Sequence, residues 1–541
     1  MTTNPLDDFS IDGWENLFVE AEPRPAQVDT MKFLERNWNN CDNFLVCAPT
    51  GVGKSAIALT LARVLAAQVP SPYADKEDQP GYSYITTTSI ELQEQYMANY
   101  AKFGLQKLYS ASNFKCTRSF PMNCKEGSTI CKTTKTKCPR TCVYEDAKRE
   151  FIRNPYGIMN LAYYMFESHF VGKLQKRGLM VFDEAHNIGD AVKSFVTITI
   201  SDAHLKHHQI RPPRAQSNNL FAIADLKEWL HAEYEPSISR DILKLTDKKE
   251  NWSGSMENKD YLKLCNDLAD LEAIIKKIDK LFQELTPVDW IAEKTDMGIN
   301  ITPITPKKYM RQHLIGKNFK NVFMSATLFD KQFIMDEYDL DPARTCYFTT
   351  PSPFPIKNRP IYILPAGKIE YGNLKKSMMP FAEVMKDILD GHKGERGIVF
   401  VSSYAQAHEF VLQVNNKRLI THYSNKDKNY ALEQHRASKD GVFVSPSSHE
   451  GLDLVGDTSR FQVLLKLPFL SLGSASVRKR AELYERWYAY MTVLSIIQAS
   501  GRSIRSETDW ATTYILDSNW LWFFPKWERF FPRYWSSAIV K

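Results

Sequence analysis

Asn43–Ser55 reads N-F-L-V-C-A-P-T-G-V-G-K-S, and this stretch decides the fold. Its first five residues form an apolar run typical of a buried strand, and after Ser55 the sequence changes to the helical pattern A-I-A-L-T-L-A-R-V-L-A-A. Between them Gly51 and Gly53 predict a tight turn whose backbone N–H groups converge on phosphate oxygens. Lys54 can reach the β- and γ-phosphates of a nucleotide, and the Ser55 hydroxyl can ligate Mg²⁺.

The turn, which also includes Thr50, departs from the strict phosphate-loop pattern at one position. That pattern has Gly where this chain has Ala48, so the match is A-x-x-G-x-G-K-S. The alternative is an ordinary strand–helix turn, but the Lys-Ser pair after the second glycine favours a phosphate loop. Upstream, the amide of Gln27 in E-P-R-P-A-Q could bind an adenine edge, although surface glutamines are common.

A second apolar strand, Gly178–Phe182, ends in Asp183-Glu184-Ala185-His186. Carboxylates at the C-terminal end of a strand beside a phosphate loop lie where a magnesium nucleotide binds in open α/β sheets. We expect Asp183 to hold Mg²⁺ through water and Glu184 to polarise the attacking water. A polar loop is the alternative, and the preceding strand and phosphate loop argue against it.

The composition is that of an ordinary globular protein, with 541 residues, 43% hydrophobic residues and a net charge of +6. This length allows about three or four domains. The N-terminus has no signal-peptide pattern, and no apolar run is long enough to span a bilayer, so we expect a cytoplasmic protein without membrane contact. In that compartment the nine cysteines are not expected to form a disulfide framework.

Five cysteines fall in one basic, core-poor segment: Cys116, Cys124, Cys131, Cys138 and Cys142. The window Lys102–Arg153 carries twelve Lys/Arg and four Asp/Glu, which hints at nucleic acid, although a solvated basic face is an equal alternative. A bound metal would supply the folding energy that the segment lacks. Thiolate spacing alone suits zinc and an iron–sulfur cluster equally.

The later chain predicts a helical insertion and a second α/β unit. Tyr261–Leu285 has apolar residues at three- and four-residue steps, and the prolines of Pro351–Pro360 indicate a linker. Ser325 and Thr327 end another strand, and a late helix runs into Q-A-S-G-R-S-I-R. There Gln498 precedes two arginines, Arg502 and Arg505, which could bind a γ-phosphate as arginine fingers or form surface ion pairs. For the aromatic C-terminus, N-W-L-W-F-F-P-K-W, core packing is favoured over a base-stacking platform.

Together these motifs resemble those of superfamily 2 helicases of the XPD/DinG family. The matching stretches run from Gln27 to Arg505 and are A-P-T-G-V-G-K-S, T-T-T-S-I-E-L-Q-E-Q, V-F-D-E-A-H, M-S-A-T-L, V-F-V-S-S-Y, H-E-G-L-D-L-V-G-D and Q-A-S-G-R-S-I-R. Ala48 is the usual residue of this superfamily at its position.

The resemblance implies an α/β protein with two RecA-like motor domains and two inserted domains. Motor domain 1 comprises 1–105, 151–190 and 286–345; an Fe–S cluster domain occupies 106–150, a helical arch domain 191–285 and motor domain 2 346–541. Family patterns place the first 4Fe–4S ligand at Cys116 and the last at Cys142, and two of the three cysteines between complete the set. Cys131 and Cys138 give the closer grouping of DinG-like members and leave Cys124 spare.

The resemblance also implies an activity, an ATP-dependent DNA helicase that moves 5′→3′ on single-stranded DNA and unwinds forked or tailed duplexes in repair or replication, as a monomer. Its site residues would be Gln27, Thr50, Gly51, Gly53, Lys54, Ser55 and Asp453 for ATP and Mg²⁺, and Asp183, Glu184, Gln498, Arg502 and Arg505 for catalysis. Glu450, Gly451 and Asp453 would couple nucleotide state to the strand. A translocase that does not unwind and a DNA-binding redox sensor remain alternatives.

Overall fold

The computed structural model describes residues 6, 9–69, 78–117, 122–133, 142–172, 174–256, 258–446, 456–501, 503–504 and 508–540. Over these residues the chain forms two parallel sheets, each flanked by helices, and a small antiparallel sheet. Parallel sheets must be covered on both faces, which is why their strands are almost continuously apolar.

The first sheet is built around the strand that leads into the phosphate loop. Its order is β11-β1-β10-β5-β2-β4-β3, and all its pairs are parallel. The strands are β1 Asn43–Cys47, β2 Gln79–Thr87, β3 Gln106–Leu108, β4 Tyr156–Asn160, β5 Arg177–Asp183, β10 Lys320–Ser325 and β11 Thr345–Thr349. Every residue of β1, β5 and β10 is buried. Because β10 pairs in parallel with both β1 and β5, the carboxyl ends of these three strands meet at one edge of the sheet.

The helices of this unit are α1 Pro25–Asn37, α2 Lys54–Gln68, α3 Ile90–Tyr100, α4 Cys124–Thr133, α5 Val143–Arg153, α6 Leu161–Phe166, α7 Ile188–Val196, α12 Lys307–His313 and α13 Lys331–Tyr338. A disulfide joins Cys41 to Cys346, which the sequence does not predict. The two cysteines meet because β11 pairs with β1 across 305 residues of sequence.

Between β5 and β10 the chain forms the antiparallel sheet and a set of helices. The sheet has the order β6-β9-β8-β7, with β6 Ile198–Ser201, β7 Leu220–Phe221, β8 Trp290–Thr295 and β9 Gly298–Pro303. The helices are α8 Asp202–His207, α9 Ile223–Trp229, α10 Glu235–Glu250 and α11 Lys259–Glu284. Helix α11 contains the predicted 261–285 pattern, but Phe282, expected on its apolar face, is 37% exposed.

The second parallel sheet has the order β12-β17-β16-β13-β15-β14. Its strands are β12 Ile361–Gly367, β13 Gly397–Phe400, β14 Leu419–Thr421, β15 Val442–Ser445, β16 Phe461–Leu464 and β17 Thr512–Asp517. Its helices are α14 Leu374–Gly391, α15 Tyr404–Val414, α16 Lys428–Ala437, α17 Ala475–Leu483, α18 Glu485–Ser500, α19 Trp520–Trp527 and α20 Arg533–Ser536. Most C-terminal aromatics pack in the core, among them Phe523 and Trp535, whereas Trp522 is 48% exposed.

One predicted domain boundary falls inside a strand of the first sheet, and another separates an edge strand from that sheet. The division between 345 and 346 cuts β11, which pairs along its whole length with β1. The division between 105 and 106 places β3 outside the first motor domain, yet β3 extends that domain's sheet beside β4. Both strands are short and lie at sheet edges, where the sequence carries little apolar signal.

Candidate nucleotide-binding site

The phosphate loop follows β1 and turns into α2 through two glycines in the left-handed region. Gly51 has φ 83° and Gly53 has φ 86°, so both require a residue without a side chain. A Cβ on Gly53 would also lie 2.3 Å from Nε2 of Gln27. The loop is therefore fixed both by its own backbone conformation and by the packing of α1 against it.

Lys54 lies at the start of α2 and is almost fully buried, with 9% of its surface exposed. Its Nζ donates to the Ala48 carbonyl oxygen at 3.5 Å and lies 3.9 Å from Oε1 of Glu184. The ammonium thus lies between the loop backbone and the carboxylate that follows β5. This is the location from which it can contact the phosphates of a nucleotide bound to the loop.

Asp183 and Glu184 lie side by side at the carboxyl end of β5. Asp183 is 3% exposed, and its carboxylate accepts a hydrogen bond from the Glu184 N–H at 2.9 Å. Burial, followed by the charge of Glu184, raises the pKa of Asp183, while Lys54 acts in the opposite direction. A positive group beside Asp183 is therefore favoured, as the proposed Mg²⁺ would be.

Glu184 has a left-handed backbone, φ 51°, which is unusual for a residue other than glycine. This conformation costs on the order of 1–3 kcal/mol and is found mainly at functional sites. It directs Oε1 to Lys54 at 3.9 Å and Oε2 to Nδ1 of His186 at 3.3 Å. Glu184 is partly exposed, so water can reach its carboxylate.

His186 connects this site with the second parallel sheet. Its Nε2 lies 2.7 Å from the amide nitrogen of Gln498 on α18, and its Nδ1 lies 2.7 Å from Oγ of Ser325 at the end of β10. Because an amide nitrogen only donates, Nε2 accepts, and Nδ1 carries the proton that it donates to Ser325. Ser325 in turn accepts from the Thr327 N–H at 3.2 Å.

Gln27 is fully buried, and its side-chain amide is used within the protein. Its oxygen accepts from the Arg24 N–H at 2.7 Å, and its nitrogen donates to Glu20 at 3.1 Å and to the Gly53 carbonyl at 3.4 Å. Gln27 therefore braces the phosphate loop from α1. Its contact with an adenine edge stays a prediction.

Several predicted residues lie outside the described residues: Arg502, Arg505, Glu450, Gly451, Asp453 and Cys138. Two described residues on either side of Arg502 are hydrogen-bonded. Trp535 donates to Oγ of Ser500, the last residue of α18, at 2.7 Å, and Ser503 is buried and donates to Ser459 at 2.8 Å.

The cysteine segment brings the thiol of Cys124, the cysteine left spare, near another predicted ligand. Cys124 is close enough to Cys142 for the two thiols to interact, and both Cys116 and Cys124 are buried. Burial, then the Cys142 and Cys116 thiols, raise the pKa of Cys124 to about 11. Cys131 is half-buried on α4. Within the described ranges, which omit 134–141, no three metal-ligating side chains form a metal-binding group.

Two buried clusters of polar side chains lie near these sites, and no motif or spacing in the sequence predicts either of them. Tyr96 on α3 donates its hydroxyl to Oδ2 of Asp183 at 2.7 Å. Farther along, Lys148 on α5 forms an ion pair with Glu167, whose Oε1 also accepts from Tyr144 and Tyr163 at 3.0 Å each. Both clusters depend on packing between elements that are distant in sequence.

Comparison with family models finds two helicase domains. A DEAD/DEAH box helicase model matches residues 24–212, and a helicase C-terminal domain model matches residues 386–538. The first match contains the phosphate loop and Asp183–His186, and the second contains Gln498. No curated protein sequence matches the chain significantly.

Comparison with solved structures finds the same fold in XPD proteins. Xpd4 of S. tokodaii is 16% identical with a TM-score of 0.58, and the match covers 95% of this chain and 99% of that one. A structure described as XPD helicase is 14% identical with a TM-score of 0.60, covering 94% and 98%. Among the described helices, none combines the length and the apolar character needed to cross a membrane.

Proposed function

Because the chain carries a DEAD/DEAH box helicase domain and a helicase C-terminal domain on an XPD-like fold, we propose that it is an ATP-dependent DNA helicase. It would translocate 5′→3′ along single-stranded DNA as a monomer and separate forked or tailed duplexes during repair or replication. The observation that carries the proposal is the hydrogen-bonded path from Gln498 through His186 to Ser325, which ties both motor domains to the nucleotide site.

The nucleotide chemistry follows from the positions of four side chains. Ser55 and Asp183 would hold Mg²⁺, which neutralises charge on the phosphates when bound. Lys54 lies where it can contact the same phosphates, and Glu184 is placed to orient water and accept its proton. Arg502 and Arg505 follow α18, whose Gln498 already reaches the site, so they are assigned the role of arginine fingers.

Coupling to the strand would run through the segment that follows β10. The Tyr490 hydroxyl on α18 donates to the Thr327 carbonyl at 2.6 Å, and Arg486 pairs with both carboxylate oxygens of Asp330 at 2.8 and 2.6 Å. A change at Glu184 alters His186, which bonds directly to both Ser325 and Gln498. Hydrolysis can thereby change how the two sheets contact one strand of DNA.

The cysteine segment would hold a 4Fe–4S cluster that acts on DNA rather than on ATP. The family resemblance favours Cys116, Cys131, Cys138 and Cys142 as ligands, whereas the interaction between the Cys124 and Cys142 thiols supports Cys124 in place of one of the middle pair. Neighbouring thiols raise one another's pKa because two thiolates repel each other. A cation bound between them favours the thiolate form. Helix α4 also bonds α11, from Thr129 to Asn266 at 2.7 Å, so this domain and the helical arch would form one wall beside the DNA.

Unwinding assays on 5′- and 3′-tailed duplexes test the proposal directly. The expected result is ATP-dependent unwinding of the 5′-tailed substrate and ATP turnover stimulated by single-stranded DNA. Arg502→Ala and Arg505→Ala should each reduce kcat on the order of 10³-fold. Turnover without strand separation would indicate a translocase instead, and DNA binding without turnover would indicate a redox sensor.

Metal analysis tests the cluster independently of unwinding. Anaerobically purified protein should contain about four irons per chain and absorb broadly near roughly 400 nm, whereas stoichiometric zinc would refute the cluster. Comparing Cys124→Ser, Cys131→Ser and Cys138→Ser then identifies the ligands, since only the spare cysteine should leave the iron content unchanged when replaced. Basal ATP hydrolysis should survive these changes because the cysteine segment contains none of the proposed nucleotide-binding residues.

A further inference from the structure

Tyr96 is a buried phenol that belongs to none of the catalytic roles assigned above. It lies on α3 with 1% of its surface exposed, beneath the carboxyl end of β5. Its hydroxyl donates to Oδ2 of Asp183 at 2.7 Å. The phenol therefore contacts one of the two side chains that the proposed function assigns to Mg²⁺.

We propose that Tyr96 is the positioning residue of the magnesium site, fixing the orientation of the Asp183 carboxylate. The inference rests on the proposed function, since it concerns the Mg²⁺ that accompanies ATP. With Oδ2 bonded to the phenol and the Glu184 N–H bonded to Oδ1, the Asp183 carboxylate has a hydrogen bond on each oxygen. Neither partner is solvent, so its orientation is set before nucleotide binds.

Outer partners of this kind hold metal ligands in place, and their loss typically lowers metal affinity about ten- to a hundredfold. Tyr96 also connects two parts of the chain. Helix α3 begins directly after the T-T-T-S segment, whose Ser89 caps the helix by accepting from the Leu92 N–H at 3.1 Å. The magnesium site is therefore braced by the helix that directly follows the T-T-T-S segment.

The test is equilibrium binding of a fluorescent ADP analogue to the full chain, in EDTA and over a Mg²⁺ titration. Tyr96→Phe keeps the ring and removes only the hydroxyl. Its affinity for the analogue in EDTA should equal that of the wild type, while the Mg²⁺ concentration at half-maximal effect should rise about tenfold or more. Tyr100→Phe, one turn along α3, is the matched control and should leave both values unchanged.

Two further comparisons separate positioning from general packing. In an Asp183→Asn background, adding Tyr96→Phe should shift the Mg²⁺ midpoint no further, because the hydroxyl acts through that carboxylate. An equal shift in both backgrounds, or an unchanged midpoint in Tyr96→Phe, would overturn the inference alone. Wild-type protein that shows no Mg²⁺-dependent nucleotide binding would overturn the proposed function and the inference with it.

Discussion

Replacing Lys148 by Met should loosen the packing of α5 against Glu167, which directly follows α6. The side chains of Lys148 and Glu167 are only 4% and 3% exposed, so the variant leaves a buried carboxylate without its cation. Tyr144 and Tyr163 still donate to it at 3.0 Å each. Breaking one partner of a buried pair typically costs about 3–5 kcal/mol.

A cost of about 3–5 kcal/mol corresponds to a change of roughly 150- to 5,000-fold in the local opening equilibrium. Because the two tyrosine hydrogen bonds to Glu167 remain in the variant, we expect a value in the lower part of this range.

Amide hydrogen exchange, measured by mass spectrometry, reports this opening for each peptide separately. A local measurement is needed because a chain of several domains does not unfold in one step. Peptides covering α5 and α6 should lose protection, whereas those covering β13 should not. The double variant Lys148→Met/Glu167→Gln should recover most of the loss, since an amide oxygen still accepts from both tyrosines. A loss below about fivefold at pH 7 would refute the reasoning.

Three more outcomes follow from the geometry. Glu184→Gln should bind ATP normally but lose on the order of a hundredfold or more in turnover, because it removes the base that orients water; near-normal steady-state hydrolysis would contradict that role. Gly53→Ala should weaken nucleotide binding in a filter assay, since its φ of 86° disfavours a side chain and the new Cβ would clash with Gln27. The control Gly372→Ala should leave nucleotide binding unchanged, because the added Cβ has no atom within 4 Å. Burial lowers the pKa of His313 to about 3, so below about pH 6.5 the unfolded chain binds a proton that the folded chain does not. The stability of the folded chain should therefore fall as the pH drops below about 6.5. His313→Phe should reduce this fall, measured as the change in melting temperature between pH 7.5 and 5.

The parts of the site that sequence could predict are those encoded locally. Strand, glycine turn and helix occur within thirteen residues at the phosphate loop, and the carboxylates of Asp183 and Glu184 directly follow an apolar strand. In each case a continuous run of apolar residues gives way to a helical pattern or to polar residues where the strand ends. The end of the strand can therefore be located without knowing the rest of the fold. Helix α11 was predictable for the same reason.

The contacts that the sequence could not predict are those between elements that are distant in the chain. Tyr96 is one aromatic among many, and its role follows only from α3 crossing the end of β5. Likewise, the proximity of the Cys124 and Cys142 thiols depends on how the start of α4 lies relative to the start of α5, which thiol spacing does not encode. Gln27 reads as a surface residue in the sequence but is fully buried, because α1 packs against the phosphate loop.

The Cys41–Cys346 bridge also changes how the chain transmits mechanical load. The bridge spans 305 residues, and both the cysteine segment and helices α9–α11 lie inside this covalent ring. Tension applied between the N-terminus and the second sheet passes directly across the bridge, so the insertions carry none of it. In a single-molecule pulling experiment the oxidised chain should extend by roughly 1,000 Å less than the reduced chain, at about 3.3–3.6 Å per sequestered residue.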